Sequence, residues 1–451
     1  MKWLAGAVLS LAFALPAVAQ ETIVVYFQKG FYPAEDKAVD ELVEKFTKKT
    51  GVKVELSRYA PQEMIPKTVA ALDAGNPPDM VYGDVFDFQV AGKWAFEGRL
   101  EDVSDIINPM KGKFLPNTIE TTFMYNDKTK KRAYYAFPVK RQTMHIQYWK
   151  DMLADAGFKE SDIPKTWKAY FDFWCTKVQE GYRKKTGKRV YSVGSPMGVD
   201  SSDSFYSFLT YMDAYNVKLV NDDGKLNLGS DTRAGLINAV RDYTETIGKG
   251  CTPPSAINWK DPDNNVNFHN KTIIMTHNAT ISIAAKWLDD MNNDKLKPEE
   301  RAQAAKNYKE LIATAGFPNK PDGKPMQYRA AVKVGVVFNN AKNKKRGKEF
   351  AAFLMQEENL NPYVEGALGR WYPVTKSGAS SKFWTEDPHR KIVHDQFSAG
   401  TVTFEFTKNW KFTILNNENV WAKAMNRVVT DKWPVEKAVD EMIARIKEVA
   451  G

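Results

Sequence analysis

The sequence has 451 residues, 43% of them hydrophobic and 12% aromatic, and carries a formal net charge of +9. That composition excludes a disordered chain, and the length exceeds what one core comfortably organises, which implies two domains. The basic residues are scattered, and their densest runs (128–132, 183–185 and 342–346) read as solvated loops or helix starts, so nucleic acid is not an expected partner.

In chain order, Lys2 precedes an uncharged apolar stretch over 4–15, and then come Pro16 and the small-residue triplet Ala17, Val18, Ala19. This pattern predicts a signal peptide over 1–19, cleaved after Ala19, with export to the periplasm. The run is shorter than the roughly 20 apolar residues that cross a bilayer. With no cysteine near the cleavage point, lipid attachment is not expected, and no later segment is apolar enough to embed in a membrane.

Residues 23–27 form a continuous apolar run, read as a strand buried on both faces of a parallel sheet. Val39, Leu42, Val43 and Phe46 then repeat with helical spacing up to Gly51, and Val52, Val54 and Leu56 alternate as a second strand. A helix between Pro61 and Asp73 follows, punctuated by Gly75, Pro77 and Pro78, and residues 80–82 begin a third strand. Strand and helix alternating in this way predict an α/β fold with a mainly parallel sheet. Ligands of such sheets bind beyond the carboxyl ends of the strands, here the loops at Gln28 and at 82–84.

The region 164–251 is richer in helix, with Thr166 placed to cap a helix carrying Trp167, Tyr170, Phe171 and Trp174 on one side. Short apolar strands are expected at 273–275 and 332–338, the latter followed by an amphipathic helix through Phe350, Phe353 and Leu354. No Gly/Ser linker separates two halves, so several chain crossings are expected to join them. The two cysteines, Cys175 and Cys251, are expected to form a disulfide in an oxidising compartment. The alternative is a buried Cys175 on the stripe of Phe171, Trp174 and Val178, with Cys251 a separate surface thiol. Their spacing gives no metal pattern, and no cofactor is expected.

The order of several segments resembles the extracytoplasmic solute-binding proteins of ABC sugar importers, the maltose-binding-protein-like class. Residues 73–81 (DAGNPPDMV) are similar to the family's approach to its third strand, and residues 86–100 to the helix and turn that follow. Residues 135–139 (YAFPV) resemble the first hinge crossing, and 164–167 (PKTW) a helix start in the second lobe. Residues 348–354 (KEFAAFL) resemble a late helix, and 369–374 (GRWYPV) the segment returning to the cleft. The resemblance implies a two-lobed periplasmic-binding-protein fold, each lobe a mainly parallel sheet flanked by helices. It also implies an N-terminal lobe of 20–138 and 318–371 and a C-terminal lobe of 139–317 and 372–451. The function implied is capture of a carbohydrate in the cleft by hinge closure and delivery to the membrane permease subunits of an ABC importer, by a monomer.

Sugars present apolar ring faces edged by hydroxyls, which receptors meet with aromatic surfaces and planar polar groups. At the positions carried over by the resemblance stand Gln28, Tyr82, Asp84, Arg141, Gln142, Asp203, Phe205, His277, Asn278, Arg370, Trp371 and Tyr372. Trp371 and Tyr82 are expected as stacking surfaces, Asp84 and Gln142 as hydroxyl partners, and Arg141 and Arg370 as charged donors. The sequence departs from the family at 274–280, where His277 and Asn278 stand near an expected aromatic, and at Lys140, Arg141 and Gln142, where neutral or acidic residues are usual. Two arginines at one cleft open the alternative of an acidic sugar or polar sugar derivative.

A periplasmic carbohydrate-active enzyme is the alternative of another class. The five histidines have no H-E-x-x-H spacing, no G-x-S-x-G elbow occurs, and Thr186 breaks the phosphate-loop pattern near 181–188. The pairs Asp84/Asp87 and Asp200/Asp203 sit at helical spacing and read as solvated faces, so no catalytic residue is expected.

Overall fold

The structure is a computed structural model and describes residues 20–451. The expected signal peptide lies outside the described residues. Strand Thr22–Gln28 pairs in parallel with Lys53–Tyr59 on one side and Met80–Gly83 on the other. The sheet is completed by two antiparallel additions, Ala331–Val336 beside Met80–Gly83 and Phe137–Gln142 at the far edge.

The first strand alternates in burial rather than being dry on both faces. Ile23, Val25 and Phe27 are fully covered, whereas Val24 and Tyr26 are half-buried. Its flank is only partly covered, and Tyr26 packs edge-on against Tyr59 of the neighbouring strand. Helix Pro33–Thr50 begins with Pro33, Glu35 and Asp36 in its first turn and ends at Gly51, whose φ of 75° glycine alone adopts cheaply. It buries Val39, Leu42 and Phe46, and Phe46 meets Phe350 and Phe353 of helix Lys344–Leu354. Gly335 is required by packing, since a Cβ there would lie 2.1 Å from the Phe137 ring across the sheet.

A second sheet has the order Ile312–Ala315, His145–Trp149, Ile273–Asn278, Tyr191–Gly194. Only its last pair is parallel. Helix Ser202–Ala214 packs on it, and helices Ser230–Gly248, Val420–Val429 and Val435–Ala450 pack on that helix and on one another. Two sheets with separate helical coats are the two lobes. The chain first passes from one sheet to the other at Thr143 and Met144, between strands Phe137–Gln142 and His145–Trp149. A second crossing runs from Ile312–Ala315 to Ala331–Val336, and a third returns past Tyr372, whose backbone exchanges hydrogen bonds with Arg141.

Cys175 and Cys251 are joined as a disulfide, tying the helical segment Phe173–Val178 to the turn after Ser230–Gly248. Thr166 stands at the start of helix Trp167–Asp172, but its side chain accepts no capping hydrogen bond.

Candidate functional site

The carboxyl ends of the first-lobe strands deliver a buried set of charges. Asp84 follows strand Met80–Gly83, and Gln28 is the last residue of the first strand. Gln28 Nε2 donates to Asp84 Oδ2 at 2.6 Å, and the Asp84 amide donates to Gln28 Oε1 at 2.8 Å. The Tyr82 hydroxyl donates to the other Asp84 oxygen. Lys140, from strand Phe137–Gln142, places Nζ 3.3 Å from Asp84 and 3.6 Å from Glu35, and donates to the Tyr363 hydroxyl at 3.1 Å. The same ammonium lies 4.2 Å from the centre of the Trp371 ring. Arg370 stands 3.6 Å from the second Glu35 oxygen. Two carboxylates and two cations therefore balance in a dry pocket, which is the condition for burying any of them.

Burial pushes the Asp84 carboxyl up, but Lys140, Arg370 and the Tyr82 hydrogen bond outweigh it and hold the group below its ordinary value. Lys140 is drawn down by burial against the opposing pull of Asp84 and Glu35.

A second buried pair sits where the lobes meet. Lys333 Nζ is 3.3 Å from Asp87 and donates to the hydroxyl of Tyr206, on the second lobe's helix Ser202–Ala214, at 2.7 Å. Beside it the rings of Phe88 and Phe205 stack across the lobes at 5.0 Å, and the Tyr32 hydroxyl reaches the Ser282 carbonyl at 2.9 Å. Burial raises Asp87 to about 6, more than Lys333 lowers it. A carboxyl raised on folding stabilises fully below its ordinary 3.8 and loses that contribution as pH climbs through about 6. We expect the stability difference between Asp87→Asn and the native protein to move in the variant's favour by about 2–3 kcal/mol from about pH 4 to about pH 7. Urea unfolding of both proteins at the two pH values measures it, and a constant difference would contradict the assignment.

The second lobe faces this seam with Asp203, whose Oδ2 accepts from Asn264 Nδ2 at 3.0 Å. Burial and the neighbouring Asp261 push the Asp203 carboxyl well up, while Asn264 and the Arg370 charge oppose them. Asn278 is spent on its own turn: its Nδ2 donates to Asn265 at 2.5 Å and to Ser282 at 3.2 Å, and its oxygen accepts from the Thr280 amide.

Six of the expected site residues stand elsewhere or play another part. His277 points away from the seam into an aromatic box with Phe317 at 5.1 Å and Tyr211 at 5.8 Å, because successive strand residues face opposite sides and Asn278 takes the other. Burial lowers the His277 ring to about 3, so it is neutral, and neither nitrogen has a protein partner. The same alternation separates Lys140 from Arg141. The Arg141 guanidinium lies 4.5 Å over Phe397 and donates to Thr401 at 3.0 Å, at the hinge. Tyr372 stacks on the same Phe397 at 4.2 Å and bonds His394. Tyr82 is wholly buried against Phe27, so it offers a hydroxyl to Asp84 rather than a ring face, and Phe205 is packed between Phe88 and Phe404. Gln142 lines a small cavity with Tyr206, Tyr328 and Arg329. Trp371 is buried beneath Lys140 and Arg370, and its indole N–H has no acceptor.

Glu35, Lys140, Asp87, Lys333 and Tyr206 complete the site and were not among the expected residues. The signal for one of them was Lys333, a lysine inside an otherwise apolar strand (AVKVGV), a position that charge occupies only when paired. Asp84, Asp87 and Asp203 are buried rather than on solvated faces. Among the described residues no cluster of three or more His, Cys, Asp or Glu side chains is arranged to hold a metal, and no helix is long and apolar enough to cross a membrane.

The fold is shared with solved binding proteins. A solute-binding protein from Thermotoga lettingae, bound with α-D-tagatose, is 18% identical with a TM-score of 0.74, over 96% of this chain and 100% of that one. The maltose-bound MalE3 of T. maritima is 17% identical with a TM-score of 0.72, over 94% and 99%. The GacH receptor of Streptomyces glaucescens, known with acarbose, is 16% identical with a TM-score of 0.71, over 95% and 98%. No curated protein matches the sequence. The profile of bacterial extracellular solute-binding proteins matches residues 41–392. With that span covering most of its length, the chain belongs to the family of bacterial extracellular solute-binding proteins.

Proposed function

We propose that this protein captures a neutral saccharide between its lobes and hands it to the permease of an ABC importer, acting as a periplasmic monomer released by cleavage after Ala19. The observation that carries the reading is the seam itself. It sets Arg370, Trp371 and the Asp84 network of one lobe against Asp203 and Tyr206 of the other. The unpaired indole N–H of Trp371 is a donor that a hydroxyl oxygen satisfies. Gln28, Asp84, Asp203, Arg370 and Trp371 are the proposed ligand-facing residues, on a first lobe of 20–142 and 331–371 and a second formed by the remaining segments. The tagatose, maltose and acarbose held by the similar proteins support a carbohydrate.

Closure follows from differential contact: a ligand touching both lobes favours the closed form by the contacts it makes only there. A neutral ligand is favoured over an acidic one because Arg141 is turned to the hinge and Arg370 is already matched by Glu35. Arg141→Gln should therefore leave the preference between neutral and acidic sugars unchanged, as read by calorimetric titration with a hexose and its uronic acid. A shift in that preference toward the neutral sugar would restore the acidic reading. Binding without turnover is also proposed. Prolonged incubation with a bound saccharide should return it intact by chromatography, and a product that grows with time would make the protein an enzyme.

A further inference from the structure

We propose that the hairpin of strands Phe123–Asn126 and Lys131–Tyr134 carries a docking groove for an extended acidic segment of a protein partner. The inference goes beyond the saccharide reading and does not depend on it.

Three dense basic runs stand in the sequence, and the fold accounts for two of them. In the run 342–346, Lys344 meets Glu101 at 3.0 Å, and Arg346 meets Glu21 and Glu349. Residues 183–185 close helix Gln179–Thr186, where cations offset the helix dipole ahead of Gly187. In the run 128–132, Lys130 meets Asp127 at 2.7 Å, but among the described residues Lys128, Lys131 and Arg132 meet no carboxylate. These three and Lys111, equally unpaired, line one open concavity of about 1200 Å3. Phe123 lies in it with 37% of its surface exposed. Lys408, also there, is matched by Asp222 at 2.6 Å. Of the three acids in the concavity, Glu101 is taken by Lys344, which leaves Asp102 and Glu120 against four cations.

The groove lies at the end of the first sheet remote from the seam. Its Leu100 bridges Phe338, which follows strand Ala331–Val336 at the amino end of Met80–Gly83. Gln28 and Asp84 stand at the carboxyl ends of their strands, so an occupant of the groove leaves the seam free.

The hairpin is held in place before any partner arrives. Asn126 Oδ1 accepts the Lys128 and Thr129 amides at 2.9 and 3.1 Å, and the Asp127 amide donates to the Phe96 carbonyl at 3.0 Å. A Cβ on Gly98 would come within 2.7 Å of the Lys128 side chain, so the aliphatic stem of that lysine rests on the neighbouring loop. The Arg132 guanidinium carbon lies 5.4 Å from the Phe123 ring centre, and Nη2 donates to the Phe123 carbonyl at 2.7 Å. Such preorganisation lowers the entropy lost on binding. Arginine and aromatic side chains are enriched at protein interfaces, and an arginine fork matches a carboxylate. A concavity suits a chain that enters it, whereas a flat anionic bilayer reaches only its rim.

The experiment is fluorescence anisotropy with a labelled peptide of alternating glutamate and phenylalanine, beside a counterpart with serine for glutamate. The proteins are the native chain, Phe123→Ser, and a hairpin variant combining Lys128→Ala, Lys131→Ala and Arg132→Ala. A control combining Lys184→Ala, Lys185→Ala and Lys188→Ala removes as much charge elsewhere. We expect the native chain to bind the acidic peptide and not the serine one, with affinity falling as salt rises. The hairpin variant should weaken binding by about 10-fold and Phe123→Ser by about 3-fold, with the control unchanged. Unchanged unfolding midpoints would show that the variants fold. No binding by the native chain, or an equal loss in the hairpin variant and the control, would overturn the groove. Flotation with phosphatidylglycerol vesicles is the last arm. Hairpin-dependent capture by vesicles without peptide binding would put a lipid surface in place of the protein partner and overturn the proposal.

Discussion

Replacing Lys140 with methionine lowers the unfolding free energy by about 3–5 kcal/mol, the typical cost of leaving buried carboxylates without their partner. Lys140 is 2% exposed and stands within 3.6 Å of both Glu35 and Asp84, themselves almost wholly buried. Methionine fills much of the same volume, so the loss reports the charge rather than a cavity. Only Arg370 then opposes two carboxylates, and it reaches Glu35 rather than Asp84. Adding Asp84→Asn to Lys140→Met should recover part of the loss, because the orphaned charge is removed along with its partner. Urea unfolding of the native, single and double variants measures both effects. A single variant within about 1 kcal/mol of the native protein would show that the ion pair contributes nothing net.

The disulfide carries the second large effect. Cys175 and Cys251 close a loop with a sequence separation of 76, for which the chain-entropy treatment gives about 4 kcal/mol. Both residues are buried, so serine at both positions adds unpaired hydroxyls to the lost cross-link. Cys175→Ala with Cys251→Ala isolates the cross-link more cleanly, and should lower stability by about 2–4 kcal/mol. The same loss should follow reduction of the native protein with dithiothreitol. An unfolding midpoint that stays put while both thiols titrate as free would contradict it.

The fold was legible in the sequence because strand–helix alternation leaves a pattern that burial enforces. The helix of Val39, Leu42 and Phe46, the strand at 273–275 and the helix through Phe350 and Phe353 all stand where hydrophobic spacing placed them. The site was legible only in part, for a physical reason. Adjacent residues on a strand point to opposite faces, so choosing Arg141 over Lys140, or His277 beside Asn278, required knowing which face meets the cleft. Pairing across distance is equally invisible. Asp87 looked like a solvated helix residue, because its partner Lys333 lies far along the chain on a strand that returns to the same sheet. Glu35 reads locally as a favourable first-turn acid, and only the crossings bring Lys140 and Arg370 to it.

The chemistry of the seam is thus a neutralised network rather than a cationic one, which supports the neutral saccharide proposed above over the acidic alternative. A thermal-shift screen of the mature protein against neutral and acidic saccharides, with amino acids as controls, tests this most directly. Ligand at about 100 times its dissociation constant adds about 2.7 kcal/mol to the folded state, enough for a clear rise in the midpoint. We predict that a neutral saccharide raises the midpoint and that its uronic acid counterpart does so less or not at all. Stabilisation by amino acids alone, or by acidic sugars in preference to neutral ones, would contradict the account.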